Sequence, residues 1–415
     1  MPSGMPAHDA ASAGNPALAG RRVLDLADAS GVYCGKLLAD MGADVIKIEP
    51  PGGDATRHLP PFWEDKPDPD GGLFFLYMNT SKRGVTLDIT RSQGRDLFKQ
   101  LAGTADLIVE TFSPGRLATL GLGYDVLKAA RPRLVCTSIT GFGQTGPYRH
   151  WASADIVASA LGGAMYVTGE ADDPPVTLAG SQAHIMASTY AAVSSMIALH
   201  HATRSGQGQH VDISVEETTA SVTHICGAGK WLDDHIIPRR MGTSLFASVP
   251  SGAYRCKDGL IYLMINRPLH WKALAQWISE VTGNDAVLDP LFEGPSANRQ
   301  ASRDVIDFYI ADLTSRYTVN EIYHEGQRRH IAFTPVNTAA AVAGDPHLAA
   351  RNYFVDVTHA DRGPLTYPGA PYRHSATPWR ISRPAPRLGE HNDEIYRELG
   401  LSANEIRALK KSEII

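Results

Sequence analysis

The first half of the chain alternates short runs of aliphatic and β-branched residues with segments of helical spacing. The apolar runs that predict strands lie at 23–28, 44–49, 85–89, 106–112 and 133–139. Segments between them, such as 92–101 and 124–130, have the length and periodicity of helices. Strands that alternate with helices favour a parallel sheet with right-handed crossovers. The pattern therefore predicts an α/β domain with a doubly wound sheet, whose ligands lie at the carboxyl ends of the strands.

A different pattern begins beyond about residue 225. Before it, a long helix is predicted from about Ser181 to about Arg204, followed by a strand at 208–215. After it, Gly, Pro and Arg interrupt the chain, and two apolar runs flank a turn at 257–259. Helical segments follow these runs, so the second half predicts a smaller α+β unit.

These patterns divide the chain into five segments. We predict a disordered arm at 1–18, the N-terminal part of a large domain at 19–224, a linker at 225–245, a small domain at 246–340 and a return to the large domain at 341–415. The arm lacks the basic region and the apolar core of a secretory signal. Near the C-terminus, Ser402 and Glu405 predict a capping box.

Composition narrows the class of protein. The 415 residues include 39 Lys and Arg against 44 Asp and Glu, a net charge of −5. This balance argues against a nucleic-acid partner, and no stretch free of both charged residues and histidine reaches the roughly 20 residues of a membrane span. Four cysteines without a C-x-x-C pair predict neither a zinc site nor a disulfide framework. A cytoplasmic protein without a metal fits these counts best.

The common catalytic motifs are incomplete in this sequence or absent from it. The glycine-rich segment 141–146 resembles half of a phosphate loop, but it lacks the Lys-Ser/Thr ending of a P-loop. The sequence contains no H-E-x-x-H spacing and no G-x-S-x-G elbow. Nucleotide hydrolysis, NAD binding and the common hydrolase chemistries are therefore disfavoured.

Several segments taken together, from about Gly20 to the C-terminus, resemble the class III coenzyme A transferase family. In chain order they are VLDL…LLADMGADVIKIEPPGGDATR, NTSKRGVTLDI, ADLIVETFSPGRLATLG, TSITGFGQTGP, ADIVASALGGAMYVTG, TRSGQGQHVDISVEE and LGEHNDEIYRELGLSANEI. This CaiB/BaiF-type family includes formyl-CoA and carnitine CoA-transferases and α-methylacyl-CoA racemase. The resemblance implies a Rossmann-like large domain, a small α+β domain and two subunits interlocked as rings.

The resemblance also implies that coenzyme A, as a substrate thioester, lies on the large domain. Basic side chains would hold its phosphates: Lys47, Arg57, Lys82, Arg83 and Arg116. Each of them alone is more often a solvated surface charge, but Arg57 and the Lys82-Arg83 pair match the family motifs and are favoured for phosphate contact. Gly162 and Gly163 match the family and would let the backbone approach the thioester.

Residue 184 departs from the family. Family transferases form a mixed anhydride and then an enzyme thioester on an aspartate at the start of the long helix. Counts from the 206–209 turn and from Thr168-Gly169 both place His184 there. Imidazole cannot form an acid anhydride, so the usual chemistry should fail. His184 is then a general base, kept neutral by the helix dipole, or an acyl-imidazole nucleophile, or a filler in a subunit whose homologous partner keeps the aspartate.

Other positions restrict the substrate. Asp155 matches a carboxylate near the active site of several transferases and could orient a substrate, shuttle a proton or cap a helix. Ala154 stands where the racemases have their His, and Ser30 where formyl-CoA transferases have a Gln. Racemisation and formate transfer are therefore disfavoured. Four bulky side chains suggest a larger apolar acid: Tyr33, Phe62, Trp63 and Phe246.

Three functions stay open. The first is a CoA-transferase that moves CoA between an acyl-CoA and a free carboxylic acid, as a homodimer or as a heterodimer with an Asp-bearing subunit. The second is an acyl-CoA lyase, isomerase or hydratase that uses His184 as its base. The third is a non-catalytic CoA-binding subunit.

Overall fold

The computed structural model describes residues 15–223, 228–245 and 248–415. Most of the predicted arm, the start of the predicted linker and Phe246 lie outside the described residues. The chain divides into two compact units. The first contains the residues up to Ala164, Leu178–Ala228 and Ala349–Ile415, and the second contains Met165–Thr177 and Gly229–Leu348.

Six parallel strands form the sheet of the first unit. They are β1 (Arg22–Leu26), β2 (Asp44–Glu49), β3 (Arg83–Thr86), β4 (Leu107–Glu110), β5 (Val135–Thr140) and β6 (His210–Ser214). Their order is β3-β2-β1-β4-β5-β6 and every neighbouring pair is parallel. The predicted parallel sheet is thus confirmed. Because the strand order reverses between β1 and β4, the crevice at their carboxyl ends is the expected place for a ligand.

Helices lie between and around these strands. They are α1 (Val32–Asp40), α2 (Leu73–Met78), α3 (Ser92–Thr104), α4 (Arg116–Thr119), α5 (Tyr124–Ala130), α6 (Asp155–Leu161), α7 (Gln182–Ser205) and α8 (Val215–Val222). The long helix α7 buries Ala183, Ala187 and Ala191 at a spacing of four residues, so one face of small side chains packs in the core. Gly206, with φ of 75°, ends this helix as the sequence predicts.

The second unit carries a three-stranded antiparallel sheet. Its elements, with α9 and α14 at its borders, are α9 (Ala228–Asp234), β7 (Ser251–Arg255), β8 (Leu260–Met264), α10 (Pro268–Thr282), α11 (Arg303–Ser315), α12 (Val319–Arg328), β9 (Phe333–Pro335), α13 (Ala339–Ala343) and α14 (Pro346–Ala350). The strand order is β7-β8-β9. Trp277, Leu263 and Ile310 are buried in its apolar core.

One short segment belongs to a different unit in the structure from the domain in which the sequence pattern places it. That pattern places 165–177 in the large domain, whereas the structure groups these residues with the second unit. The Arg240 guanidinium binds the carbonyls of Tyr166, Glu170 and Asp173. Backbone carbonyls offer no sequence signal, so this connection was not predictable.

The chain then returns to the first unit. The returning elements are β10 (Phe354–His359), β11 (Gly363–Pro368), α15 (Asn392–Glu398) and α16 (Ala403–Lys411). The Tyr396 hydroxyl donates to the Thr86 carbonyl over 2.6 Å, which ties α15 to β3. Ser402 and Glu405 form the predicted capping box of α16.

Short 3-10 helices complete the described structure. They lie at Ala55–His58, Trp63–Asp65, Met165–Val167, Asp285–Leu288, Pro290–Phe292 and Ser296–Ser302. Within the residues described, no helix is both long and apolar enough to cross a membrane.

Candidate functional site

The carboxyl ends of β1 and β4 meet at the switch point of the sheet. Asp28, two residues past β1, donates its backbone N–H to the hydroxyl of Thr111, just after β4, over 2.9 Å. The Asp28 carboxylate accepts the backbone N–H of Ser30 over 2.9 Å. The Ser30 carbonyl in turn lies 3.4 Å from the hydroxyl of Ser188 in α7. These contacts bring the loop after β1, the end of β4 and the first half of α7 together.

The two predicted catalytic residues are in contact at the N-termini of α6 and α7. The backbone N–H of His184, the third residue of α7, donates to Asp155 Oδ1 over 3.0 Å. Asp155 is the first residue of α6. Because Ser181, the N-cap of α7, makes no side-chain capping bond, Asp155 satisfies one of the amides that a helix start leaves without an intrahelical partner.

The His184 side chain is electrically neutral near pH 7. Burial lowers its pKa, while Asp155 and Asp28 act in the opposite direction. The imidazole is partly exposed, and it makes no hydrogen bond to any residue in the described part of the chain. A neutral imidazole with unpaired ring nitrogens can accept a proton from a substrate or orient a substrate carboxyl.

A buried carboxyl that sequence reasoning missed lies at the end of β4. Glu110 is only 5% exposed and accepts the backbone N–H of Phe112 over 2.7 Å. Burial raises its pKa to about 7, although hydrogen bonds from Ser138 and Phe112 act against the rise. Across the described residues Glu110 has no ion pair.

Asp28 connects this carboxyl to the histidine. The charge of Asp28 favours the protonated forms of both Glu110 and His184, and Asp212 acts on Glu110 in the same direction. The signal that could have found Asp28 and Glu110 is their position, since each is an acidic residue at or just past the carboxyl end of a predicted strand, in VLDLAD and DLIVE.

The two predicted glycines differ in their surroundings. A Cβ on Gly162 would lie 2.6 Å from Thr219 Cβ, so this glycine permits the close packing of α6 on α8. Gly163 has φ of 82° and open space at its Cβ position. Of the two, only Gly163 has open space at its Cβ position, and its N–H donates to the Ala160 carbonyl over 3.3 Å.

Arg57 forms a buried ion pair. Its Nε and Nη2 atoms donate to the two carboxylate oxygens of Glu49 over 2.6 and 2.7 Å, and neither side chain is exposed. A further bond runs to Asp70 over 2.6 Å, and the guanidinium lies 3.8 Å from the centre of the Phe75 ring. All donors of Arg57 thus point into the protein.

Lys47 and Lys82 are paired in the same way. Lys82 Nζ lies 2.7 Å from Asp25 Oδ2, and both side chains are fully buried. Lys47 Nζ donates to the Ala27 carbonyl and lies 3.3 Å from Asp54. The charges of both lysines are therefore compensated inside the chain.

Arg83 and Arg116 lie at opposite extremes of exposure. Arg83 is nearly buried and pairs with Asp44, Glu394 and Glu398 over 2.6 to 2.7 Å. Arg116 is exposed at the start of α4. Phosphate binding by the five basic residues stays a prediction, and of the five only Arg116 presents its guanidinium to solvent.

The fold and the site define a doubly wound α/β protein with polar chemistry at the switch point of its sheet. In the described ranges, no group of three or more His, Cys, Asp or Glu side chains is placed to hold a metal ion. Comparison with known proteins extends this description. Residues 18–392 match the family model described as CoA-transferase family III.

Individual relatives cover nearly the whole chain. The chain is 37% identical over 399 residues to succinyl-CoA:(R)-benzylsuccinate CoA-transferase subunit BbsE of Thauera aromatica, covering 93% of this chain and 95% of the relative. It is 34% identical to succinyl-CoA–D-citramalate CoA-transferase of Chloroflexus aurantiacus, covering 95% and 97%. A crystal structure of a CaiB/BaiF family protein from Brucella suis superimposes with a TM-score of 0.83 at 30% identity, covering 93% and 100%.

The chain belongs to CoA-transferase family III. This confirms the family that the sequence segments indicate. Membership implies substrates that are CoA thioesters.

Proposed function

We propose that this chain is the aspartate-lacking subunit of a hetero-oligomeric CoA-transferase. The complex moves CoA between an acyl-CoA and a free carboxylic acid, and a homologous partner subunit supplies the aspartate that carries the acyl group. The two subunits would interlock as the family resemblance implies.

One observation carries this proposal: a histidine stands at the third position of α7, where the family resemblance expects the nucleophilic carboxylate. The nearby Asp155 is committed to the His184 backbone amide over 3.0 Å, and Glu110 is buried. Neither carboxylate is placed like a nucleophile at the start of α7. The similarity to a relative that is itself named a subunit points in the same direction.

We propose succinyl-CoA as the CoA donor, because both curated relatives described above are named for it. In the complex, this chain contributes the crevice at the carboxyl ends of β1 and β4. Arg116 would contact a CoA phosphate, Gly163 would approach the thioester, and His184 would orient a substrate carboxyl through its unpaired ring nitrogens.

Mass spectrometry of CoA thioesters tests the proposal. The purified chain, incubated with succinyl-CoA and a panel of aliphatic and aromatic acids, is expected to form no new thioester. Adding a homologous subunit that carries the aspartate should restore transfer. A new acyl-CoA formed by the wild-type chain alone would contradict the proposal.

The variant His184→Asp sharpens this test, because it places a carboxylate at the family position. The purified His184→Asp variant should transfer CoA without a partner subunit. The matched control is His201→Asp, which makes the same change at an exposed position near the end of the same helix. Transfer by both variants, or by the control only, would mean that the position of the carboxylate is irrelevant.

A second function is favoured by the state of His184. A neutral imidazole without a hydrogen-bond partner among the described residues suits a general base that removes an acidic proton from an acyl-CoA. In that case the starting thioester would change without incorporating an acceptor acid, and His184→Ala would abolish the change. Bound CoA without any turnover, even with a partner present, would instead indicate a non-catalytic binding subunit.

A further inference from the structure

Three aromatic side chains form a cluster on the loop that follows β5. Tyr148 and Trp151 stack with ring centres 4.0 Å apart and planes 25° apart. Phe142 meets both rings edge-to-face, at 6.2 and 6.4 Å. Trp151 is 57% exposed and Tyr148 is 40% exposed. We call Phe142, Tyr148 and Trp151 the aromatic cluster.

The loop is held in place by its backbone, independently of these rings. The backbone N–H of Gln144 donates to both carboxylate oxygens of Asp212, over 3.1 and 2.9 Å. The Glu216 N–H donates to the Gly141 carbonyl over 3.0 Å. A Cβ on Gly141 would lie 2.2 Å from Ser153 Cβ, so the two ends of the loop touch. These backbone contacts therefore fix the loop that carries the aromatic cluster, and the three rings are not needed to hold it.

The loop leads directly into the candidate site. It starts at the carboxyl end of β5, and Trp151 lies four positions before Asp155, which accepts the N–H of His184. Four residues of extended chain span at most about 14 Å. The aromatic cluster thus lies within reach of a group held by His184.

We propose that the aromatic cluster binds a planar aromatic ring of a substrate. An additional aromatic ring prefers the same stacked and edge-to-face arrangements that these three rings already show. Exposed rings grouped on a surface commonly mark a binding site. The proposal rests on the proposed CoA transfer only for the identity of the substrates.

Two parts of the substrates carry such a ring: an aryl group on the acceptor acid and the adenine of CoA. The aryl group is favoured by position. In CoA, the pantetheine and pyrophosphate arm separates adenine from the thioester, whereas an aryl group on the acid lies close to its reacting carboxyl.

Equilibrium binding to the chain alone tests the proposal without any turnover, so its failure is distinguishable from a failure of the transfer proposal. The probes are 2-phenylsuccinate, its cyclohexyl counterpart and adenosine 3′,5′-bisphosphate, each measured by calorimetry. The wild-type chain should bind the phenyl acid several-fold more tightly than the cyclohexyl acid. Trp151→Ala should remove that preference, and Trp151→Phe should keep most of it.

Trp231→Ala is the matched control, because Trp231 is 49% exposed and lies in α9 of the second unit. This variant should bind like the wild type. If Trp151→Ala weakens only the bisphosphate, the ring is adenine and the stacking role stands. Equal affinities in the wild type and Trp151→Ala, no binding to the wild type, or a loss of self-association in Trp151→Ala without an effect on ligands would overturn the proposal.

Discussion

The two halves of the six-stranded sheet differ in whether their buried ionisable side chains form ion pairs. In the half formed by β3, β2 and β1, buried cations meet buried carboxylates, as in the Lys82–Asp25 pair at 2.7 Å and the Arg57–Glu49 pair at 2.6 Å. In the half formed by β4, β5 and β6, the buried Glu110 has no ion pair among the described residues. We call the half formed by β3, β2 and β1 the closed half, because its buried charges are paired. We call the half formed by β4, β5 and β6 the open half, because the buried Glu110 has no ion pair among the described residues.

This difference separates structural from chemical use of polar residues. A buried lysine or arginine whose N–H groups are all paired has no donor left to bind a ligand. Removing its carboxylate partner is strongly destabilising. A buried carboxyl without a cation instead holds its proton near neutral pH, and an imidazole without a partner keeps its nitrogens for a substrate. We therefore expect the paired residues, such as Lys82 and Arg57, to stabilise the framework, and the unpaired Glu110 and His184 to serve the site at the carboxyl ends of β1 and β4.

The largest expected effect comes from breaking a pair in the closed half. Lys82→Met leaves the Asp25 carboxylate buried without its principal partner, so the free energy of unfolding should fall by about 3–5 kcal/mol. Urea denaturation followed by circular dichroism measures this loss. The control is Lys66→Met, because Lys66 pairs with Glu64 on the surface and exposed pairs contribute at most about 1 kcal/mol.

The same variant tests the alternative role of Lys82. A stability like that of the wild type together with lost CoA binding would show that Lys82 is a phosphate ligand. Such a result would place the closed half in the binding site and remove the contrast between the two halves.

The next largest effect is a gain of stability in the open half. The folded-state pKa of Glu110, about 7, lies above the value near 4.3 expected for an unfolded chain. The folded protein therefore retains a proton that the unfolded chain loses, and stability falls as pH rises from about 4 to about 7. Glu110→Gln removes this loss, so at pH 8 it should be more stable than the wild type by roughly 3 kcal/mol.

Denaturation of both proteins across a range of pH checks this sign. At pH 4 the two proteins should differ little, because the wild-type carboxyl is then protonated in both states. A difference that stays constant with pH would show that the folded state does not raise the Glu110 pKa, and would remove the contrast between the two halves.

Much of the fold was predictable because its signals are local. Alternating apolar runs indicated all six strands of the parallel sheet, and the Ser402–Glu405 spacing indicated the capping box of α16. The position of His184 near the start of the long helix followed from spacing within the family segments.

The roles of the basic residues could not be read in this way. Lys82 pairs with a carboxylate 57 residues away, and Arg83 pairs with Glu394 and Glu398 from the last part of the chain. Their neighbours in sequence are turn residues typical of surfaces, so only the tertiary contacts reveal the burial. The contact between Asp155 and His184 likewise joins two helix starts that are 29 residues apart.

A smaller effect is expected at that contact. Asp155→Ala removes the acceptor for the His184 N–H, so the free energy of unfolding should fall by about 1 kcal/mol, the usual value of a helix cap. Asp155→Asn should keep most of the stability because its amide oxygen still accepts. If both variants lose transfer in the hetero-oligomeric complex but only Asp155→Ala loses stability, the carboxylate acts on the substrate as well as on α7.

The smallest effect on stability is expected for Arg116, the one predicted phosphate ligand that is exposed. Arg116→Ala should change the free energy of unfolding by no more than about 0.5 kcal/mol, since its guanidinium makes no hydrogen bond or ion pair within the described residues. If it contacts a CoA phosphate, the affinity for CoA should fall about two- to fivefold, as for an exposed charge pair, and less at high salt because the charges are screened. Arg91→Ala removes another exposed arginine and should leave the affinity unchanged. An equal loss in both variants would mean that CoA responds to net charge alone, and that no basic side chain tested here forms a specific phosphate contact.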